Sequence, residues 1–165
     1  GLQGEELLIL KQSTTGLVPR IVEVLPALWI NMTLLVAGLN ILSFRRWVGT
    51  GRFFTGWPDF GVWRLKESLI WIPIAAISLF FVHLYLLHVP LLGVILPNLL
   101  LVLGALYFFQ GLSIVSWFFR TRFSPLARMI SYALMILFVQ FVGVVIIALG
   151  LFDFWFDFRK LKRVT

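Results

Sequence analysis

The chain has 165 residues, 61% of them hydrophobic and 13% charged, with a mean hydropathy of +1.00. A soluble domain carries roughly 25% charged residues, so this composition excludes water as the main solvent and predicts an all-α polytopic membrane protein. The formal net charge of +7 comes from Lys and Arg set beside apolar runs, which points to phospholipid headgroups and topology rather than to nucleic acid, and the lack of cysteine excludes disulfides, thiolate catalysis and iron–sulfur clusters.

A helix needs about 20 mostly apolar residues to cross a hydrocarbon core about 30 Å thick. Four segments meet that requirement, at about 24–44, 69–89, 91–119 and 129–152. Ahead of the first, residues 5–11 read as a short helix or the end of an earlier one. The polar residues 12–16 read as a turn, and Pro26 then falls in the first turn of the span, where its missing N–H is tolerated.

Between the first and second spans, residues 45–67 interleave Arg45, Arg46, Arg52, Arg64 and Lys66 with Phe44, Trp47, Phe53, Phe54, Trp57, Phe60 and Trp63. Indole rings prefer the headgroup level and basic side chains snorkel to phosphate, so this is an interfacial loop, with Trp57 and Trp63 as candidate interfacial or partner residues. The second and third spans are joined only by His88, Val89 and Pro90, which makes them antiparallel neighbours. Pro97 predicts a kink in the third span. Arg120, Arg122 and Arg128 mark a basic loop before the fourth, and a basic tail covers 153–165. With four spans, eight Lys and Arg lie on one side and six on the other, so charge does not orient the chain.

Polar residues inside a span must face protein, water or a ligand. Asn40, His83, Asn98, Gln110 and Gln140 are the candidates for lining a ligand cavity. Interhelical hydrogen bonding is the other reading for them. Gly93, Gly104 and Gly111 on the third span, and Ala133, Gln140, Gly143 and Gly150 on the fourth, form small-residue stripes that let helices approach. The sequence has no HExxH, no GxSxG, no Gly-rich phosphate loop and no intramembrane carboxylate pair. It therefore predicts no catalytic residues, no metal site and no cofactor.

Residues 150–160 read GLFDFWFDFRK. On a helix, Asp153 and Asp157 share a face, with Trp155 between them and Arg159 and Lys160 following. As an interfacial helix end, or as a partner-docking motif, these five residues are the second set of candidates. That stretch, with Gln110-Gly111, Trp57-Pro58, Trp63 and Pro97-Asn98, resembles the YybS-like family of predicted bacterial membrane proteins, a domain of unknown function. The resemblance implies a multi-pass protein of the bacterial cytoplasmic (inner) membrane. Because family members are longer, it also implies that this chain is a C-terminal half whose N-terminal half is a partner.

The family is distantly similar to the S components of energy-coupling-factor transporters, which capture small solutes and pair with an ATPase module. Two functions are thus expected: a substrate-binding or transport component for a small polar solute, or a non-catalytic membrane scaffold or subunit of a larger complex. The first requires Asn40, Asn98, Gln110 and Gln140 to converge on one cavity.

Overall fold

The computed structural model of the protein describes residues 2–48 and 59–160. Its elements in chain order are α1 (Leu2–Val48), two single 3-10 turns (Phe60–Val62 and Glu67–Ile70), α2 (Trp71–Val82) continued by a π turn (His83–Leu87), α3 (Pro90–Arg122), α4 (Pro125–Leu137) and α5 (Val139–Phe156). No strand occurs among the described residues. Four stretches are long and apolar enough to cross a bilayer, Gly16–Ile41, Glu67–Leu87, Pro90–Arg122 and Val139–Phe156, which makes the protein an all-α polytopic bundle.

Three boundaries differ from expectation. Residues 12–16 do not form a turn, because α1 continues through them and carries both Pro19 and Pro26 in its interior. In lipid, a break would expose more unpaired backbone groups than a proline does, so the helix persists. The fourth span does not begin at 129. The chain leaves helical geometry at Phe138 (φ −105°, ψ 26°), separating a 13-residue α4 from α5. The sequence is apolar across this junction, so hydropathy carries no trace of it. Finally, residues 153–156 are still helical, and α5 ends only at Asp157, whose φ of 40° reverses the chain. Helix α3 continues across Pro97.

Helix α3, 33 residues long and hence about 50 Å, is the spine on which α1, α2 and α5 each pack. Helix α1 runs parallel to it: Ala27 N–H donates to Asn98 Oδ1 (2.9 Å), Asn31 Nδ2 donates to Leu101 O (3.0 Å), and Gly38 lies against the Phe109 ring. Helix α2 returns antiparallel through His88 and Val89, bringing His83 Nε2 against Gly93. Val89 is extended (φ −80°, ψ 115°), as a residue preceding proline prefers, and Pro90 opens α3 at a position where no N–H is needed.

Helix α5 runs antiparallel to α3 and approaches it backbone to backbone. A Cβ added at Gly111 would fall on the Ile146 carbonyl, and one at Gly150 on the Tyr107 carbonyl. These are members of the two predicted glycine stripes. Gly104 and Gly143, from the same stripes, have nothing within 4 Å of an added Cβ. Ile114 and Ile146, 1% and 3% exposed, close the core beside the crossing. Gly111→Ala is expected to destabilise the protein by more than about 2 kcal/mol, because backbone must move. Gly104→Ala and Gly143→Ala should stay within about 1 kcal/mol of the parent, since alanine is the better helix former. Thermal unfolding in detergent checks this, and equal effects at the three positions would contradict the close crossing.

Asn98 fastens α3 to α1 beside Pro26. Its Oδ1 accepts from Ala27 N, and its Nδ2 donates to Glu23 O and to Val94 O, both at 2.7 Å. Ala27 N–H and Glu23 O, four residues apart, are the donor and acceptor of one helical rung. The Asn98 amide thus engages both sides of the rung next to the proline. Because that rung can close on itself, Asn98→Ala should cost only about 1 kcal/mol, and a loss as large as that at Gly111 would show that Asn98 does more than join two helices.

Candidate functional site

The densest polar region lies where the segment 59–66, the middle of α3 and the end of α5 meet. The glycine crossing sets it up. With Gly150 against Tyr107, Asp153 comes one turn further along α5 and faces Gln110 on α3. Its side chain is 0% exposed, and a buried carboxylate must be paired and hydrogen-bonded.

Both conditions are met. Arg159 Nη2 donates to Asp153 Oδ2 at 2.9 Å, Phe158 N–H donates to Oδ1 at 3.1 Å, and Gln110 Nε2 approaches Oδ2 at 3.4 Å. Arg64 donates to the Asp153 backbone carbonyl at 2.9 Å, and its Nε stands 3.6 Å from Oδ2. The left-handed turn at Asp157 makes this geometry available. It folds residues 158–160 back so that Arg159, itself 3% exposed, points into the protein.

The other edge of the Arg159 guanidinium ties down the loop. Nη1 donates to Gly61 O (2.8 Å), Trp63 O (3.0 Å) and Ser113 Oγ (2.8 Å). The Ser113 hydroxyl faces Phe60 O at 2.6 Å and Trp63 O at 2.9 Å. Gln110 Oε1 accepts from Leu65 N–H at 3.3 Å. Arg64 Nη1 reaches Asp157 Oδ1 at 3.4 Å, and at the far end of the segment Arg120 forms a bidentate pair with Asp59. Eight residues of loop are therefore held by side chains from α3 and by the turn after α5. A cleft beside the cluster, lined by Arg64, Lys66, Glu67, Tyr107, Gln110 and Phe154, has a free volume of about 10 Å³, room for roughly one water.

Of the five candidates for lining a cavity, Gln110 belongs to this cluster and Asn98 joins α1 to α3. His83 is half-buried against Gly93, its Nδ1 without a partner among the described residues, and Asn40 and Gln140 are exposed on α1 and α5. The structure does not bring the five together. Asp153, Asp157 and Arg159, expected at a helix end or a docking surface, do converge, but inside the protein. Trp63 contributes its carbonyl. Trp155 is 50% exposed, its ring 5.9 Å from that of Phe152 and 5.3 Å from that of Phe154, and Lys160 is exposed. Trp57 lies outside the described residues.

The sequence does not single out Arg64 or Ser113 among the candidates. For Ser113 a signal exists, since it follows Gln110 by three and shares its helix face. Among the described residues, no group of three or more His, Asp or Glu is placed to hold a metal.

The fold and this internally paired site define a polytopic helical membrane protein whose buried charges serve its own architecture. The chain belongs to the family described as Predicted membrane protein (DUF2232), which it matches over residues 1–154. Asp153 lies within the matched residues, while Asp157, Arg159 and Lys160 follow them. No curated protein and no solved structure matches the chain.

Removing one partner of a buried pair strands the other charge. Asp153→Ala should thus destabilise the protein by about 3–5 kcal/mol, and the double variant Asp153→Leu with Arg159→Met should recover most of that loss. Chemical unfolding in mixed micelles provides the measurement. A double variant as unstable as the single one would contradict the pairing.

Proposed function

We propose that this protein is a non-catalytic membrane subunit whose helix α1 packs against a further transmembrane protein segment. The observation that carries the proposal is Trp29. It lies at the middle of the apolar stretch Gly16–Ile41 and is 73% exposed. An indole turned outward from an apolar helix offers a broad packing surface together with a hydrogen-bond donor. A neighbouring helix supplies both packing and a carbonyl or side-chain acceptor. Helix α1 has the surface for it: only 6% of its most apolar window is buried, and Met32, one turn from Trp29, is 64% exposed.

The polar side chains support the same reading. Gln110, Ser113, Asp153 and Arg159 hold the protein's own segments together, and Asn98 joins two of its helices. The alternative, capture of a small polar solute as the likeness to transporter S components implies, needs a shared cavity. Asn98 and Gln110 lie twelve residues apart on α3, about 18 Å, with Asn40 and Gln140 exposed on two other helices. A bacterial cytoplasmic membrane is the setting that the YybS-like resemblance suggests.

Photo-crosslinking from a reactive analogue placed at position 29 or 32 in native membranes tests the proposal. The expected product is a discrete protein adduct, absent when the analogue replaces Leu86, which is equally exposed at the far hairpin. Lipid adducts alone from positions 29 and 32 would overturn it. A bound solute seen by native mass spectrometry, without such an adduct, would favour solute capture instead.

A further inference from the structure

Helix α4 is unlike the four spans. At 13 residues it is about 20 Å long, too short for a hydrocarbon core of about 30 Å. It also has two faces where the spans are apolar all round. Leu126, Met129, Ile130, Ala133 and Leu137 fall on one side at helical spacing, all exposed, with Leu126 and Met129 at 65% and Leu137 at 73%. Arg128 and Ser131, on the other side, are half-buried.

The start of α4 is fixed to the end of α3. Ser124 Oγ accepts from Ala127 N–H, and Arg128 donates to Phe123 O (3.5 Å) and, beside the Phe123 N–H, to Phe119 O (3.3 Å). The Tyr132 ring, midway along α4, stands 5.1 Å from that of Phe119. The start and the middle of α4 thus both meet α3 within residues 119–123, and α4 is not among the helices that pack along the spine.

That level is also where the basic residues gather. Arg120 and Arg122 are there on α3. Basic residues at the ends of apolar spans mark a membrane boundary.

We propose that α4 is an in-plane membrane helix. It lies flat at the boundary between headgroups and acyl chains, with Leu126, Met129, Ile130, Ala133 and Leu137 sunk among the chains and Arg122 beside it facing anionic lipid phosphate. Its occupant is the lipid surface, a property independent of what α1 binds.

The chain has no cysteine, so single-cysteine variants can carry an environment-sensitive fluorophore without background. The full chain is reconstituted into mixed phosphatidylethanolamine–phosphatidylglycerol vesicles with Leu126→Cys, Ile130→Cys, Leu137→Cys or Ser131→Cys, and quenched by nitroxide lipids labelled near the headgroup or near the chain end, or by iodide. Positions 126, 130 and 137 should all be quenched more by the shallow than by the deep nitroxide, in one common ratio, placing them about 5–10 Å into the boundary. Position 131 should respond mainly to iodide. A ratio that changes steadily from 126 to 137 would make α4 part of a crossing helix and overturn the proposal. So would apolar positions quenched by neither lipid, which would mean that protein covers them.

Discussion

Gly111 and Gly150 let the backbones of α3 and α5 touch, and the placement of the Asp153–Arg159 cluster follows from that contact. With side chains at these positions the helices would stand apart, and Asp153 would no longer reach Gln110. The turn at Asp157 would then return Arg159 to a different place, and segment 59–66 would lose the guanidinium that holds two of its carbonyls. Association in lipid gains little from burying apolar surface, because the solvent is already apolar. Close packing has to supply the stability, and small residues are what permit it.

The glycine crossing also fixes depth. From Arg120, near the basic level, to Gln110 is ten residues, about 15 Å along the helix. A carboxylate and a guanidinium so far from that level cannot rely on water, and the cluster is correspondingly self-contained. Arg64 and Arg159 face Asp153 and Asp157, two positive charges against two negative. The two N–H bonds of Arg159 Nη1 would be lost to lipid-like surroundings without the Gly61, Trp63 and Ser113 acceptors that share them. Arg159 Nε is the one donor of that group without a partner among the described residues. The arrangement resembles a fastening more than a reactive centre, since every strong acceptor is already engaged.

Much of this was legible in the sequence, for reasons that are physical. Apolar length predicts spans because a bilayer has a thickness, and the α2–α3 hairpin follows from a connection of three residues. The glycine stripes were visible, though only Gly111 and Gly150 carry the close approach. What failed to show has causes too. The break at Phe138 separates two apolar segments, and composition cannot register a change of direction. The motif around Asp153 and Asp157 reads as a solvated helix end because charge usually means exposure. Its burial depends on a left-handed residue at 157 and on a loop nearly a hundred positions away, neither of which a local pattern encodes. Asn98 reads as a cavity residue by the same logic, until the neighbouring helix gives its amide a donor, Ala27 N–H, and an acceptor, Glu23 O.

The two kinds of surface that remain differ in what they ask of their surroundings. Helix α4 is amphipathic and fastened at its start to the end of α3, so an interface satisfies it fully: acyl chains on one face, protein and water on the other. Helix α1 is apolar over most of its surface between Gly16 and Ile41, and lipid satisfies most of it. Trp29 adds to that surface a large ring with an N–H that needs an acceptor. A donor of this kind is a small energetic term, of the order of a hydrogen bond, yet it is directional. It marks out one face of the helix, and it is on that face that a second protein segment gains both packing and a directed contact.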